Sequence, residues 1–408
     1  MAFTKDLWWR KVKHPDGTVT KEKTARHGNG KRYLAVWKDP DGNEKSRAFK
    51  RKIDADNHGD AMETDKIRGE YQDPNAGRIT FDELFAKWHA SLTVDPSSCL
   101  RYEEVYRLHV KPVIGWRSVK SLRPSDIKTL LGRLRSIRAA STVNTALLVI
   151  RGVLDMAEAD ESIKRNPAKS SIIKRAREHM TKVQVWPDDL VRDIIDAHPE
   201  RFRPMAVLAA GCGMRQGEIF GLGLDDLDFD GGLIYVRRQV KKLKEQEIFA
   251  LPKNDRERTV PLPMWVANAL QAFLKAHPSV PYTLPWEKVD GKPHTTKLLF
   301  RWYDDLHIRA RSYSETLWKP VLAEVGVIPQ PTKDKRGRLR YETDRKQGMH
   351  QLRHYYASIQ LDAGVSVPSL ADALGHHPSV TLSTYGHLLD SSEERIRRAV
   401  DDRFLAPG

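Results

Sequence analysis

Six side chains in the second half of the sequence could together act on a phosphodiester: Arg215, Lys253, His350, Arg353, His376 and Tyr385. When an oxygen nucleophile attacks phosphorus, negative charge spreads over the non-bridging oxygens, and planar guanidinium groups can hold two of these oxygens at once. A tyrosine is a suitable nucleophile, because its aryl ester conserves the energy of the broken strand and its phenolate leaves readily later. A two-metal nuclease would need grouped carboxylates, and the sequence offers none with convincing spacing. The set therefore predicts phosphoryl transfer without a metal ion or another cofactor.

The segment ALGHHPSVTLSTYGHLL carries two of the six residues and must be broken in its middle. Pro378 lacks a backbone donor and disfavours helix at the residue before it. One helix is therefore predicted to end at Leu374–Gly375, which places His376 just beyond its C-terminus. Ser379 is predicted to cap a second helix that carries Tyr385. Two separate elements can then bring the imidazole and the phenol to one point.

Two further motifs supply the arginines. MHQLRHYYAS places His350 and Arg353 three residues apart on one helix face, and His354 extends the same polar group. Arg215 is predicted to lie on the apolar helix RPMAVLAAGCGMRQGEIFGL, where a charge needs a partner. Glu218, three residues later, could be that partner.

Lys253 is predicted to lie at the turn between two short strands in EQEIFALPKNDRERTVPLP, from which a flexible cation can reach a site. Lys241, Lys242 and Lys244 are nearby in the sequence and remain alternatives for the same role.

The composition favours a polyanionic partner. The 408 residues carry a net charge of +15, and 15 Lys and Arg face 6 Asp and Glu in the first 52 residues alone. Nucleic acid is the leading partner class. A membrane surface is the alternative, but the sequence has neither a long apolar run nor an apolar signal core at its N-terminus, so we expect a cytoplasmic protein with no membrane partner. Cys99 and Cys212 lack zinc-ligand spacing and are expected to be reduced and structural.

Length and local composition predict a mainly α protein with small β-sheets, an α+β fold in three domains: 1–72, 78–168 and 183–408. In the first domain, two strands around a turn at Asp39–Gly42 and a helix from Ile53 to about Arg68 suggest a small sheet-plus-helix DNA-binding module. A basic domain that binds RNA or a protein is the alternative. The second domain is predicted to be helical, with helix starts at Pro124 and Ser141 and a capping box at Thr80 and Glu83.

The third domain is predicted to be helical with one small sheet. Residues 278–345 are predicted to be a Pro-rich, basic insertion that includes a mobile loop. A terminal helix with Ile396, Val400 and Phe404 along one stripe would need a partner surface.

The order and wording of these motifs resemble the tyrosine recombinase, or phage integrase, family, most like the integrases of actinobacterial phages or integrative plasmids. Arg215 in MRQGE, Lys253, HQLRH, and LGHHPSVTLSTYGH carry the resemblance, which covers the C-terminal half in detail and the first half in layout only. The sequence departs from the family pattern at Gln216. The resemblance implies an arm-type DNA-binding domain, a SAM-like core-binding domain and a catalytic domain with an oligomerisation tail.

The resemblance also implies roles. Tyr385 would form a 3′-phosphotyrosine and Lys253 would protonate the 5′-oxygen, while Arg215 and Arg353 would hold the phosphate. His350 would help accept the tyrosine proton, His376 would donate a hydrogen bond to the phosphate, and Glu218 would orient Arg215. The implied activity is site-specific recombination of double-stranded DNA at attachment sites, which integrates or excises a mobile element. The implied partners are a homo-tetramer on DNA, a DNA-bending host factor and an excisionase.

Two other function classes remain open. A type IB topoisomerase would use similar residues, but it relaxes supercoils as a monomer and needs neither a basic N-terminal domain nor an oligomerising tail. A non-catalytic DNA-binding regulator would explain the charge, but it would leave the polar set from His350 to Tyr385 without purpose.

Overall fold

The computed structural model describes residues 2–15, 17–69, 71, 78–177, 183–253, 256–388, 397, 400–401 and 403–405. The chain divides into two compact units, Met1–Glu178 and His179–Gly408. The first unit contains two separate hydrophobic cores, one in the N-terminal sheet module and one in the helices that follow. The three-domain boundaries at 1–72, 78–168 and 183–408 stay a prediction.

The N-terminal module combines a three-stranded sheet, a separate hairpin and one helix. Its elements are β1 (Phe3–Asp6), β2 (Trp9–Lys13), β3 (Val19–Lys23), β4 (Tyr33–Lys38), β5 (Glu44–Phe49) and α1 (Lys52–Ile67). The sheet has the order β1-β4-β5, and β2 and β3 form a separate two-stranded sheet. The predicted strand pair around the Asp39–Gly42 turn and the predicted helix are confirmed. Strands β1 to β3 were not predicted, because lysines and threonines occupy many of the positions where apolar residues would mark a strand.

The core of this module lies between α1 and one face of β4. Because side chains alternate along a strand, this face carries Tyr33, Ala35 and Trp37. Ala35, Trp37 and Ala55 are almost fully buried there. The Trp37 indole N–H donates to the Tyr71 hydroxyl at 2.9 Å, which satisfies its buried donor. One face of the sheet is therefore covered by the helix.

The rest of the first unit is helical, as predicted. Its helices are α2 (Phe81–Ala90), α3 (Pro96–Val105), which continues as a π-helix over Tyr106–Gly115, α4 (Pro124–Ile137) and α5 (Ala140–Ala159). The predicted capping box is present, since Glu83 N donates to Thr80 Oγ1 at 3.2 Å and Thr80 N donates to the Glu83 carboxylate at 2.8 Å. The start at Pro124 is confirmed, and α5 begins at Ala140, one residue before the predicted Ser141.

Helix α5 is long and apolar enough to cross a membrane by length and composition alone. Eight of its residues are buried in the core of this unit, including Leu147, Ile150 and Leu154. Core helices of this kind pass the same test, so its hydropathy is explained by packing.

The second unit is mainly helical, and its described residues also form several short sheets. The helices are α6 (Asp188–Asp196), α7 (Arg203–Cys212), α8 (Gln216–Phe220), α9 (Met264–Ala276), α10 (Ala310–Tyr313), α11 (Lys319–Glu324), α12 (His350–Asp362), α13 (Val367–Leu374) and α14 (Pro378–Tyr385). The strands are β6 (Leu227–Asp228), β7 (Leu233–Val236), β8 (Gln239–Leu243), β9 (Gln246–Ala250), β10 (Arg258–Pro261), β11 (Val280–Pro285), β12 (Pro293–Leu298), β13 (Thr332–Lys333) and β14 (Leu339–Arg340). The α+β fold class is confirmed.

Two predictions for this unit are wrong. Instead of one small sheet, the described residues form the sheet β10-β7-β6 and the hairpins β8-β9, β11-β12 and β13-β14. The prediction that residues 278–345 form an insertion is also wrong, whereas the mobile loop predicted within them stays a prediction. Leu298, Phe300 and Trp318 from this region are buried in the main core of the unit, and the basic tract forms the β13-β14 hairpin. The high Pro and charge content concealed these buried positions, which are spread over short elements.

Candidate active site

The position of Arg215 depends on a sharp corner between α7 and α8. The prediction that Arg215 lies within one apolar helix is wrong, because α7 ends at Cys212 and Gly213 adopts a left-handed conformation with φ +61°. A Cβ atom on Gly213 would lie 2.3 Å from the Tyr356 ring, so only glycine fits there. Arg215 then precedes the first residue of α8, and its side chain is 16% exposed.

Glu218 is fully buried and holds two arginines. Arg215 Nη1 donates to its Oε1 at 2.8 Å, and Arg258 donates to both carboxylate oxygens at 2.8 and 2.7 Å. Burial alone would raise the pKa of Glu218, but hydrogen bonds and charge from Arg258, and then the charge of Arg215, outweigh it and lower the pKa to about 2. The carboxylate is therefore ionised, and the predicted pairing of Glu218 with Arg215 is present.

Arg258 was not identified from the sequence. It lies at the start of β10, and its Nε donates to the Ala373 carbonyl at 2.7 Å, so it also fixes the C-terminal end of α13. In the sequence, Arg258 is a charged residue at the edge of a short predicted strand. The structure buries the next apolar residue of that strand, Val260. That signal is common on exposed strand ends, and the bidentate contact with Glu218 is 40 residues away along the chain.

Arg353 is fully buried, although it carries a charge. From α12 it donates to the carbonyls of Gly213 and Leu374, and its Nη2 lies 3.0 Å from His376 Nε2. Its Nε has no hydrogen-bond partner among the described residues. Burial first, and then the charge of Arg215, lower the pKa of Arg353 to about 9, so the side chain remains a cation at neutral pH.

His376 follows the C-terminus of α13, as predicted, because Gly375 ends the helix with φ +61°. Burial first, and then Arg353 and Arg215, lower its pKa to about 3, so the imidazole is neutral. Since Arg353 can only donate, Nε2 must accept and the ring proton lies on Nδ1. Nδ1 is buried without a partner among the described residues. The ring therefore holds an unused donor beside two arginines.

Tyr385 lies at the end of α14 with no exposed surface. Its hydroxyl is 2.8 Å from His354 Nδ1. Burial raises the pKa of Tyr385 to about 12, which the charges of Arg353 and Arg215 partly offset, and burial followed by the Arg353 charge lowers the pKa of His354 to about 4. The phenol therefore donates to a neutral imidazole. Helix α14 begins at Pro378 after a cap by the His377 side chain, so the predicted cap at Ser379 is wrong.

The structure brings His354, and not His350, to the tyrosine hydroxyl. The His350 ring is 4.6 Å from that of His354 in an edge contact. His350 as a whole is exposed to solvent. Its pKa is nevertheless lowered, first by loss of hydration around the imidazole and then by the charges of His354 and Arg353. Sequence reasoning placed His354 only at the edge of the polar group, because nothing in HQLRH distinguishes the two imidazoles.

Lys253 is exposed in the loop between β9 and β10, as predicted. Its charge is near enough to His376 to help lower the pKa of that imidazole. Residues 254 and 255 lie outside the described part of the chain. Lys241 and Lys242 lie on β8, and Lys244 follows that strand with φ +55°, so these alternatives belong to the β8–β9 hairpin and not to this loop.

Two family descriptions match the chain. The description "Phage integrase family" matches residues 187–316, and "Phage integrase, N-terminal SAM-like domain" matches residues 80–134. Over longer stretches, the chain is 23% identical to a "Tyrosine recombinase XerC-like" protein of Caldanaerobacter subterraneus subsp. tengcongensis, covering 82% of this chain and 85% of that protein. The chain belongs to the phage integrase family of tyrosine recombinases.

Another relative of this tyrosine recombinase spans nearly the whole chain. This relative is a "Putative prophage phiRv2 integrase" of Mycobacterium tuberculosis. It is 23% identical to this chain, and the match covers 91% of this chain and 92% of the relative. Among solved structures, the Tn1549 transposon integrase in complex with transposon right-end DNA gives a TM-score of 0.63 at 19% identity and covers 80% of this chain and 100% of that one. A lambda integrase tetramer bound to a Holliday junction gives 0.54 at 14% identity, covering 85% and 92%. These likenesses establish the fold.

The family matches end at residue 316, before two of the motifs that carry the resemblance, HQLRH and LGHHPSVTLSTYGH. The catalytic roles of His350, Arg353, His376 and Tyr385 therefore stay predictions. Of the predicted tail stripe, Ile396 lies outside the described residues, and Val400 and Phe404 are 54% and 81% exposed. The docking of that tail stays a prediction.

Proposed function

We propose that the protein is a site-specific recombinase that cuts and rejoins double-stranded DNA at attachment sites through a 3′-phosphotyrosine on Tyr385. The observation that carries this proposal is one cluster in which Glu218 holds Arg215 and Arg258, Arg353 contacts His376, and His354 contacts Tyr385. Two arginines whose charges act on the phenol, with a third that shares their buried carboxylate, could hold a phosphodiester.

Each group has a step in the proposed cleavage. The Tyr385 oxygen attacks phosphorus while the phenol proton passes to His354 Nδ1, the base that its hydroxyl already contacts at 2.8 Å. The bond from phosphorus to the 5′-oxygen breaks, and Lys253 supplies the proton that yields a free 5′-hydroxyl. Arg215 and Arg353 hold the non-bridging oxygens, and the unused Nδ1–H of His376 donates to one of them. His350 supports His354 through the edge contact between their rings.

The described conformation is closed. Tyr385 and Arg353 have no exposed surface, so a phosphate can reach them only after part of the site moves. Helix α14 is a suitable part, because it is eight residues long and begins after the Gly375–His377 break. We propose that DNA binding shifts this helix and opens the site to a phosphate, while the hydroxyl keeps its contact with His354. Cleavage would then be limited to bound DNA, since the buried phenol is otherwise inert.

The partners follow from the same proposal. A homo-tetramer on DNA would bring four catalytic domains to two duplexes, with the terminal segment around Val400 and Phe404 docked on a neighbouring subunit. A DNA-bending host factor and an excisionase would set the direction, toward integration or excision of a mobile element. The protein would act in the cytoplasm, on nucleoid or mobile-element DNA, without a cofactor or metal ion.

The test uses two plasmids, each of which carries the DNA that flanks the gene. They are incubated with the full-length protein or with its Tyr385→Phe variant. We expect recombinant plasmids from the first and none from the second, while both bind the DNA alike. Relaxation of supercoiled plasmids of unrelated sequence, without strand exchange, would instead favour the topoisomerase-like alternative. Equal DNA products from both proteins would contradict catalysis at Tyr385.

A further inference from the structure

Three successive carbonyls at the carboxyl end of α13 each accept a hydrogen bond from a different arginine. The donors and acceptors are Arg258 Nε and Ala373 O at 2.7 Å, Arg353 Nη2 and Leu374 O, and Arg215 Nη2 and Gly375 O at 3.2 Å. The last carbonyls of a helix have no partner within the helix and favour nearby cations. Since His376 follows directly, the position of its imidazole depends on this triple contact.

Arg258 already uses all three of its nitrogens within the protein. Besides the bond from Nε to Ala373, its Nη1 and Nη2 donate to the two oxygens of Glu218 at 2.8 and 2.7 Å, and its side chain is only 4% exposed. In contrast, the Nε of Arg353 has no partner among the described residues, and the Arg215 side chain is 16% exposed. Arg258 is therefore enclosed by its partners and can act on a phosphate only through them.

The backbone fixes the place of Arg258 on both sides. Its position on β10 is opposite Val236 of β7, so the pairing of these strands determines where its side chain starts. At the other end, a Cβ atom on Gly375 would lie 3.1 Å from Arg258 Cδ, and this glycine has φ +61°. The turn before His376 thus packs closely on the arginine stem. One side chain joins β10, α8 and α13.

The charge of Arg258 also controls the protonation of its neighbours. Burial raises the pKa of Glu218, but contact and charge from Arg258, followed by Arg215, lower it to about 2. The charge of Arg258 further contributes, after burial, Arg353 and Arg215, to the low pKa of His376. Loss of Arg258 would therefore raise the pKa values of both groups. A protonated Glu218 would hold Arg215 less firmly, because the ion pair would be lost.

We propose that Arg258 is a positioning residue of the catalytic cluster: it fixes Glu218 and the end of α13, so that Arg215 and His376 face the same phosphate. This role rests on the proposed function, in which a phosphodiester is cleaved between these groups. A displacement of about 1 Å at a reacting group can cost about 100-fold in rate. A residue that does not touch the substrate can therefore control the cleavage step. When α14 shifts on DNA binding, Arg258 keeps the α13 side of the site in place.

The experiment compares Arg258→Gln with the wild-type protein in single-turnover cleavage of a nicked duplex from the DNA that flanks the gene. Covalent cleavage at saturating DNA should be about 10- to 100-fold slower in the variant. The dissociation constant for the same duplex should not change, because Arg258 is enclosed. The rate of the variant relative to wild type should fall further as the pH drops from about 8 toward 6, since Glu218 and His376 then take up protons more readily.

Arg256→Gln is the matched control. Arg256 lies two residues before Arg258 and also contacts α13, through Asp372 at 3.1 Å, but its side chain is 60% exposed. This variant loses the same charge and should keep the wild-type rate and pH profile. Arg258→Lys restores the charge without the planar fork that donates to both oxygens of Glu218. It should keep the wild-type pH profile and cleave at a rate between those of Arg258→Gln and wild type.

Three results would overturn the proposal: wild-type cleavage by Arg258→Gln, an equal loss in Arg256→Gln, or slower cleavage with an unchanged pH profile, which would indicate a structural role alone. If Arg258→Gln shows no cooperative urea transition, Arg258→Lys decides. Slower cleavage at unchanged affinity would then support the role, and the wild-type rate would contradict it. If the wild-type protein forms the covalent complex and the variants do not respond, only the assignment of Arg258 fails. If the wild-type protein forms none, the proposed function fails, and this role with it.

Discussion

Glu218 is the residue on which the arrangement of the arginines depends. Its carboxylate has no exposed surface and contacts Arg215 and Arg258, and Arg258 in turn binds the carbonyl of Ala373 near His376. A buried cation without its partner is strongly unfavourable, so the three charges form one unit. The carboxylate positions the arginines and has no contact that would let it react itself.

Replacing Glu218 with Ala should lower the free energy of unfolding by about 3–5 kcal/mol, because two buried guanidinium groups lose their counter-charge. Urea unfolding followed by circular dichroism measures this change. Asp225→Ala removes an exposed acid seven residues away and should change stability by less than about 0.5 kcal/mol. An equally small effect at Glu218 would show that the buried pairs do not hold the site together.

The buried imidazoles predict how stability depends on pH. Burial lowers the pKa values of His198 and His354 to about 4, whereas the unfolded chain has the ordinary value near 6.5. Below that ordinary value the unfolded state binds more protons, so the free energy of unfolding should fall as pH drops from about 6.5 toward 5. Most carboxylates titrate below this window. Urea midpoints measured at several pH values should show the decline, and a flat or rising profile would mean that these histidines are charged in the folded protein.

At the scale of elements, the corner between α7 and α8 carries the chain past Tyr356. Gly213→Ala would add strain at φ +61° and a Cβ atom 2.3 Å from the ring. Gly326→Ala provides the control, because that glycine has φ +76° with open space around it. Backbone strain should lower the free energy of unfolding of both variants. Gly213→Ala should lose about 1–3 kcal/mol more because of overpacking, and it should also lose cleavage activity. Equal unfolding free energies for the two variants would contradict the close contact.

The elements that sequence patterns could predict were those with local signals. The capping box of Thr80 and Glu83, the strand pair around Asp39–Gly42, and the helix break at Gly375 all depend on neighbours within a few residues. Contacts between distant segments were missed. Arg258 reaches Glu218 only because β10 pairs with β7, and no short-range pattern encodes that pairing.

The same reason explains the partial prediction of the site. Five of the six predicted catalytic residues flank helix termini or share HQLRH, so motif spacing was enough to select them. The choice of His354 over His350 as the partner of Tyr385 depends on where α14 packs against α12, which spacing does not determine. The burial of Tyr385 also required the packed structure.

At the scale of the whole molecule, we expect the two units to divide the work between holding DNA and cutting it. Removing residues 1–70 should weaken binding to distal sites while sparing cleavage of a short core substrate, because the catalytic cluster lies wholly within His179–Gly408. Gel-shift and cleavage assays on long and short duplexes measure both effects. A matched loss of binding and cleavage on the short duplex would contradict this division.

The central claim is that the Tyr385 oxygen becomes esterified to DNA. A nicked duplex that loses its 5′-hydroxyl fragment after cleavage traps the covalent complex, and proteolysis followed by mass spectrometry locates the nucleotide adduct. We predict that the adduct lies on Tyr385 and disappears in Tyr385→Phe. An adduct on another residue, such as Tyr355, or DNA binding with no adduct at all, would contradict the account.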